Sequence, residues 1–92
     1  MAKVGWSIEA ANDLLSIRRY ITEFNPDAAN TVSLRLRSAA ASLTDFPDRG
    51  RQGPLGTREL SIVAPYVISH ERRGDDVTIL SIRHGRRRPL AD

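Results

Sequence analysis

Cysteine is absent from this chain of 92 residues, and lysine occurs only once, at Lys3. The lack of cysteine excludes disulfide bonds, thiolate metal sites and cysteine nucleophiles. The two isolated histidines, His70 and His84, cannot form a structural metal site without carboxylate ligands, so we expect no metal and no cofactor. No segment approaches the apolar length of a transmembrane helix, and the first residues lack the apolar core of a signal peptide. We therefore expect a cytoplasmic protein that does not contact a membrane.

Positive charge is in excess, and nearly all of it is arginine. The chain has 14 Lys and Arg against 11 Asp and Glu, which gives a net charge of +3. This balance favours an acidic partner, either a nucleic acid or an acidic protein. Arginine also offers a planar fork that matches a phosphate or a carboxylate. A GC-rich coding sequence would produce the same arginine bias without a functional cause.

The first half of the chain predicts one strand and two helices. Lys3–Trp6 is apolar enough for an edge strand, and the Ser7 hydroxyl suits the N-cap of a helix. Apolar residues at helical spacing predict a first helix over residues 8 to 24. Asn25 and Pro26 then give the N-cap and the first position of a second helix, which Pro47 ends. Because almost no linker separates the helices, they should form an antiparallel αα-hairpin.

The second half predicts strands. Residues 48 to 56 are rich in glycine and proline and indicate an exposed loop. Three β-rich runs follow, at residues 56 to 63, 66 to 73 and 77 to 84, with a turn between the last two. The order of elements predicts one α+β domain over residues 1 to 92, in which the helical hairpin packs on one face of a mainly antiparallel sheet.

Towards its C-terminal end the chain carries a basic run that begins at the end of the last predicted strand. A strand end that opens onto a loop is a frequent place for functional side chains. The run can be a solvated tail, a contact for phosphate or a docking surface for an acidic protein; phosphate binding would be unspecific, because no stacking aromatics interleave the charges. Its members are Arg83, His84, Arg86, Arg87 and Arg88.

Glu59 and His70 are the other candidates for chemistry, since RNA cleavage needs an acid, a base and cations near the phosphorane. Strand alternation places His70 on the same face as Tyr66 and Ile68. This pattern favours a packed structural histidine over a catalytic one. Glu59 is expected to pair with Arg58 or with an arginine of a neighbouring strand.

Seven short motifs follow one another along nearly the whole chain. They are W-S-x-x-A-x-x-D-L at residues 6–14, I-x-x-Y-I at 17–21, N-P-x-A-A at 25–29, L-x-x-F-P-x-x-G-R-x-G at 43–53, G-T-R-E-L at 56–60, P-Y-V-I at 65–68 and V-x-I-L-x-I-x-H-G-x-R at 77–87. In their order and spacing they resemble the RelE/ParE superfamily of bacterial toxins from type II toxin–antitoxin modules, and the ParE branch most closely. The resemblance implies the same helical hairpin on a mainly antiparallel sheet.

The resemblance also implies a partner, a ParD-like antitoxin whose C-terminal segment wraps the toxin and whose N-terminal part binds operator DNA. The toxin would then contact DNA only through the antitoxin, and an acidic antitoxin segment would complement the charge of +3. We expect a groove beside the helical hairpin to receive an antitoxin helix by its apolar face. The expected contacts are Trp6, Leu15, Arg18, Arg58 and Tyr66, although burial in the core is the simpler interpretation of the two aromatics.

Function within the superfamily divides between two targets. ParE-like members poison DNA gyrase without catalysis, whereas RelE-like members cut messenger RNA in the ribosomal A site. The cutting members carry an arginine in a pattern such as Y-R-L-V-Y, where this chain has Val67, which cannot hold a phosphate. The resemblance therefore favours a gyrase poison whose basic run contacts the target. A nuclease would instead use His84, Arg86 and Glu59, and a module that has lost toxicity is a third alternative.

Overall fold

The computed structural model describes residues 1–85, which form a five-stranded sheet and two α-helices. The strands are β1 Lys3–Trp6, β2 Arg51–Gln52, β3 Arg58–Val63, β4 Tyr66–Arg73 and β5 Asp76–His84, and the helices are α1 Ile8–Thr22 and α2 Pro26–Ala41. The strand order across the sheet is β1-β5-β4-β3-β2. Only the pairing of β1 with β5 is parallel within this sheet, so the predicted mainly antiparallel α+β fold, with β1 at an edge, is confirmed.

Both predicted helix caps are present. The Ser7 hydroxyl accepts a hydrogen bond from the Ala10 amide at 3.0 Å, and the Asn25 side-chain carbonyl accepts one from the Ala28 amide at 3.1 Å. Such caps satisfy amides that have no partner in the first turn of a helix. Pro26 occupies the first turn of α2, as expected.

Helix α1 ends at Thr22, two residues before the predicted end at residue 24. The amides of Phe24 and Asn25 both donate to the carbonyl of Ile21, at 2.9 and 2.8 Å. Asn25 itself is extended, with φ −159° and ψ 96°, because it must cap the next helix. The requirement for an N-cap therefore interrupts a hydrophobic pattern that would otherwise continue the helix.

The hydrophobic core lies between the hairpin and the sheet. Its largest fully buried side chains include Leu36, Leu43, Ile68 and Ile79. Alanines of the helices are also buried, and they let the helix backbones approach the sheet closely. Helix α1 packs mainly on β5 and α2 mainly on β3, so each helix covers a different half of the sheet.

Residues 48–56 are more ordered than a simple exposed loop. They contain β2, which pairs with β3 through Arg51 opposite Glu59 and Gln52 opposite Arg58. Gly50 has a φ of +101°, and a Cβ placed there would lie 2.6 Å from the carbonyl oxygen of Glu59. Glycine is thus required where this segment approaches β3. Among residues 1–85, no helix is long and apolar enough to span a membrane.

Candidate functional site

The first candidate site is an apolar cavity of about 620 Å³ between β1 and the two helices, here called the hairpin groove. Trp6 and Leu15 line it together, and Arg37 of α2 stands among its other lining residues. Leu15 is 57% exposed, so a large apolar side chain of this groove is open to solvent. Two of the five expected antitoxin contacts therefore meet in one groove of the expected kind.

The other three expected antitoxin contacts lie elsewhere. The Arg18 guanidinium donates to the side-chain carbonyl of Asn30 at 2.8 Å, which ties α1 to α2. The Arg58 guanidinium donates to the carbonyl of Gly50 at 3.1 Å and fastens the loop before β2. Tyr66 lies at the start of β4, beside the end of β5. The five residues do not form a single continuous groove.

The second candidate site, here called the strand-end groove, lies between α1 and the ends of β4 and β5. Its volume is about 370 Å³, and Ile17, Tyr20, Tyr66 and His84 are among the residues that line it. Tyr66 and His84 stand opposite each other in the sheet, with ring centroids 5.9 Å apart in an edge-to-face arrangement. His84, predicted from the sequence, is thus held by an aromatic neighbour at the point where the sheet ends.

Asp13 positions the strand that carries His84. Strand β1 pairs with β5 only as far as Trp6 opposite Ile79. Beyond that point, the Ser7 hydroxyl donates to the carbonyl of Leu80 at 3.1 Å, and an Asp13 carboxylate oxygen accepts from the Ile82 amide at 2.9 Å. The N-terminal half of α1 therefore replaces a strand along the outer edge of β5.

Sequence reasoning missed this role of Asp13, because the residue falls outside the apolar stripe of α1. The available signal was its place in the W-S-x-x-A-x-x-D-L motif, where Ser7 and Asp13 are the two residues that bind the edge of β5.

Replacement of Asp13 by alanine should lower the free energy of unfolding by about 1–3 kcal/mol, since the Ile82 amide would lose a charged acceptor. Asp13→Asn keeps an acceptor oxygen and should cost less. Urea denaturation of the three proteins measures both values. Equal stability of Asp13→Ala and the unaltered protein would contradict the positioning role.

Glu59 lies in an ion-pair cluster on the sheet face away from the helices. Its carboxylate is 2.7 Å from the Arg83 guanidinium and 3.6 Å from that of Arg51, and its side chain is only 13% exposed. Arg51 belongs to the neighbouring strand β2, so the expected pairing with an arginine of a neighbouring strand is confirmed. Because successive strand residues point to opposite faces, Arg83 reaches Glu59 while His84 faces α1. The sheet therefore separates Glu59 from His84.

His70 is a structural histidine, as expected from strand alternation. It is 1% exposed, and its Nε2 lies 2.9 Å from the carbonyl oxygen of Arg49, to which it donates. Its Nδ1 is buried and finds no hydrogen-bond partner among residues 1–85. Burial lowers the pKa of His70 below 6.5; Arg58 opposite it lowers the pKa further, while the bond to Arg49 and the charge of Asp48 raise it. The neutral imidazole holds the loop before β2 in place through its hydrogen bond to the carbonyl of Arg49.

Acidification should destabilise the fold through His70. The pKa of His70 is lower in the folded than in the unfolded protein, where it is about 6.5. The neutral imidazole therefore contributes fully to the free energy of unfolding above pH 6.5, and this contribution declines as the pH falls towards the folded-state pKa. A single titrating group can change the free energy of unfolding by at most about 1.4 kcal/mol per pH unit. The measurement compares urea denaturation of the unaltered protein and His70→Gln between pH 7.5 and 5. If the stability difference between them did not change with pH, the assignment would be wrong.

Three of the four arginines of the basic run, Arg86, Arg87 and Arg88, lie outside the residues that the structure describes. They follow Gly85 directly, and the Gly85 amide donates to the carbonyl of Pro65 at 2.6 Å. Arg83 and His84 therefore fix the place where the run begins. No cluster of three metal-binding side chains occurs within residues 1–85.

Comparison with known proteins agrees with this architecture. Toxin RelE2 of Caulobacter vibrioides is 46% identical over 87 residues, covering 95% of this chain and 99% of that protein. A putative toxin, Y4kP of Sinorhizobium fredii, is 37% identical over 84 residues, covering 89% of this chain and 86% of that protein.

A solved structure of a chromosomal ParDE toxin–antitoxin system from P. aeruginosa has the same fold, with a TM-score of 0.81 at 22% identity over 91% of this chain and 96% of that one. The family model of the ParE toxin of type II toxin–antitoxin systems matches residues 4–89. The resemblance seen in the seven motifs is confirmed. The chain belongs to the ParE toxin family of type II toxin–antitoxin systems, within the RelE/ParE superfamily.

Proposed function

We propose that this toxin acts in the cytoplasm by binding DNA gyrase, and that a cognate ParD-like antitoxin neutralises it. The observation that carries the proposal is the separation of Glu59 from His84 by the sheet. These are the residues that a nuclease of this chain would use as acid and base, and they must reach the same phosphodiester to cut RNA. Within residues 1–85, this pair therefore provides no joint acid–base site, which supports an action by binding.

The face that carries Glu59 is also poorly equipped for phosphate chemistry. Both oxygens of Glu59 already face arginines, Arg83 at 2.7 Å and Arg51 at 3.6 Å. Val67, which pairs with Arg83 in the sheet, stands where the cutting members of the superfamily carry an arginine. A valine provides no charge to stabilise a phosphorane.

The gyrase contact is assigned to the end of β5. His84 lies in the strand-end groove beside Tyr66. Arg83 also lines this groove, while its guanidinium pairs with Glu59, and Arg86, Arg87 and Arg88 follow in sequence. A toxin that binds the gyrase state with cleaved DNA more tightly than the other states shifts the population towards that state. No bond of the toxin needs to form or break, so the activity is that of a protein ligand.

The antitoxin contact is assigned to the hairpin groove. An amphipathic antitoxin helix can place its apolar face against Trp6 and Leu15, while an acidic residue of that helix meets Arg37 at the rim. The net charge of +3 favours an acidic partner segment. Operator DNA would be contacted by the antitoxin alone. The ParDE composition of the P. aeruginosa structure supports a pair of this kind.

A ribosome-dependent endoribonuclease is the second candidate, because the relative that is 46% identical to this chain carries a RelE name. The two candidates differ in the process that stops first. Induction of the toxin without antitoxin, followed by pulse labelling with thymidine and methionine, should show DNA synthesis stopping before protein synthesis. Early arrest of protein synthesis, with messenger RNA cleavage that His84→Ala abolishes, would support the nuclease instead. Normal growth after induction would show that the module has lost toxicity.

A further inference from the structure

Apolar side chains and three ring side chains line the strand-end groove together. Ile82 is 4% exposed and belongs to the hydrophobic core, and Ile17 packs against that core. Tyr66 and His84 stand at the strand ends, while Tyr20 lies in the last turn of α1. Ile17 and Tyr20 are the first and fourth residues of the motif I-x-x-Y-I, which lies outside the basic run. The groove therefore joins this helix motif to the strand end from which the basic run continues.

Tyr20 is a large side chain that stays open to solvent. It is 60% exposed, and its ring packs edge-to-face on that of Phe24, with the centroids 5.2 Å apart. A tyrosine has two side-chain torsions, so it offers a large contact area at a small loss of conformational entropy. Tyrosines are accordingly enriched among the residues that dominate binding in protein–protein interfaces. An exposed tyrosine beside an apolar groove therefore indicates a contact surface.

The polar atoms of the groove are also available to a partner. The hydroxyl groups of Tyr20 and Tyr66 have no hydrogen-bond partner among residues 1–85, and neither is a buried atom. They can donate to a carboxylate or a carbonyl of a bound protein. Asp13 lines the groove as well, but one of its oxygens already accepts from the Ile82 amide at 2.9 Å. The groove thus combines apolar contact area with two free hydroxyl groups.

The size of the groove limits what it can hold. Its volume of about 370 Å³ lies near the lower end of the range of about 300–1,000 Å³ for sites that enclose a small molecule. A helix, which is about 10–12 Å wide, is too large to enter it. A single large apolar side chain fits, and the polar atoms beside that side chain then meet the two tyrosine hydroxyls.

The position of the groove indicates which partner supplies this side chain. In the described part of the chain, the strand-end groove shares no lining residue with the hairpin groove, and the two lie on different sides of α1. The strand-end groove instead adjoins His84 and Gly85, after which the basic run continues. Acidic groups next to the apolar side chain would complement that run. A second copy of the chain would be a poor occupant, because it would bring two basic runs together.

We infer that the strand-end groove receives one apolar side chain of DNA gyrase, from a surface whose acidic residues meet the basic run, and that the ring of Tyr20 holds this side chain. The inference rests on the proposed gyrase target. The ring contributes by removing apolar surface from water, so its hydroxyl is the smaller part of the contact. Tyr20 is thereby a target-binding residue of α1, in addition to those at the end of β5.

Two substitutions alter the groove from exposed positions. Tyr20→Ala removes the ring, and Ser16→Trp fills the groove with an indole, whereas Tyr20→Phe removes only the hydroxyl. Leu34→Ala is the matched control, because Leu34 is a 64% exposed helical residue that lines neither the strand-end groove nor the hairpin groove. The readout is the toxin concentration that gives half of the maximal gyrase-cleaved plasmid. Calorimetry with the ParD-like antitoxin runs in parallel, and circular dichroism verifies the fold.

We expect the half-maximal toxin concentration to rise about tenfold or more for Tyr20→Ala and Ser16→Trp. For Tyr20→Phe and Leu34→Ala it should stay within about threefold of the unaltered toxin. The affinity for the antitoxin should not change in any of these variants. If Tyr20→Ala acted on gyrase like the unaltered toxin, the groove assignment would be overturned and the gyrase target would stand. A parallel loss of antitoxin affinity would assign the groove to the antitoxin and overturn the inference as well.

Two further outcomes would overturn the inference. If the unaltered toxin produced no cleaved plasmid with active gyrase, the gyrase target would fail, and the groove assignment with it. If the toxin bound single-stranded DNA in the absence of gyrase, and Tyr20→Ala removed that binding, the groove would hold a nucleobase and not a protein side chain.

Discussion

Replacement of Arg86, Arg87 and Arg88 together by alanine is expected to abolish toxicity while the protein stays folded. If each arginine contributes about 1 kcal/mol or more at the gyrase surface, the triple variant should bind at least about 100-fold more weakly. The fold should persist, since residues 1–85 contain a hydrophobic core. Growth after induction without antitoxin is the first readout, and the toxin concentration that half-saturates gyrase is the second.

The matched control removes the same amount of charge elsewhere. Lys3, Arg19 and Arg73 are exposed and lie away from the strand-end groove, so their joint replacement by alanine should leave toxicity unchanged. If both triple variants lost toxicity equally, net charge would be the cause and not a docking surface. A folded Arg86/Arg87/Arg88 variant with full toxicity would overturn the assignment of the basic run.

The second large effect is expected from Leu15→Glu, which should weaken antitoxin binding by about 100-fold or more. A carboxylate at this position would lose its hydration inside the apolar hairpin groove, and an unpaired buried charge costs several kcal/mol. Leu15 is 57% exposed in the free toxin, so the substitution should leave the fold intact. Calorimetric titration with the antitoxin measures the loss.

Ile8→Glu is the matched control for this experiment. Ile8 is an 82% exposed apolar residue of the same helix, and it does not line the hairpin groove. Leu15→Glu should also remain toxic when the antitoxin is co-expressed, whereas the Ile8 variant should be neutralised. Full neutralisation of Leu15→Glu would place the antitoxin elsewhere on the toxin.

Much of the fold followed from local signals. Ser7 and the Asn25-Pro26 pair marked the beginnings of the two helices, and the structure confirms both caps. The alternating pattern predicted β4. Strand β5 runs from Asp76 to His84 and is one residue longer than predicted. These signals succeeded because capping and strand alternation act within a few residues.

Other features had no local signal. Strand β2 has only two residues, so it shows no hydrophobic alternation, and its pairing depends on the approach of Gly50 to β3. The register between β4 and β5 shifts at Ser69 and His70, which alternation alone does not foresee. Such irregularities arise from how strands meet in three dimensions.

The sequence predicted which residues take part in the candidate sites, but not which of them lie together in the structure. Trp6 and Leu15 do share a groove, yet Tyr66 lies with His84 instead, because the pairing of β4 with β5 brings these two together. The sequence allowed Glu59 and His84 as a catalytic pair, but the strand pairing puts them on opposite faces of the sheet. Grooves form where separate elements pack, so their composition could not be obtained from one stretch of sequence.

The most direct test of the gyrase assignment uses purified toxin, active gyrase and supercoiled plasmid, and measures DNA that is cleaved and covalently bound to protein. We predict that cleaved complexes accumulate with the unaltered toxin, disappear when the antitoxin is added and do not form with the Arg86/Arg87/Arg88 alanine variant. Absence of cleaved complexes at a high molar excess of folded toxin, with gyrase active in the same tubes, would contradict the account.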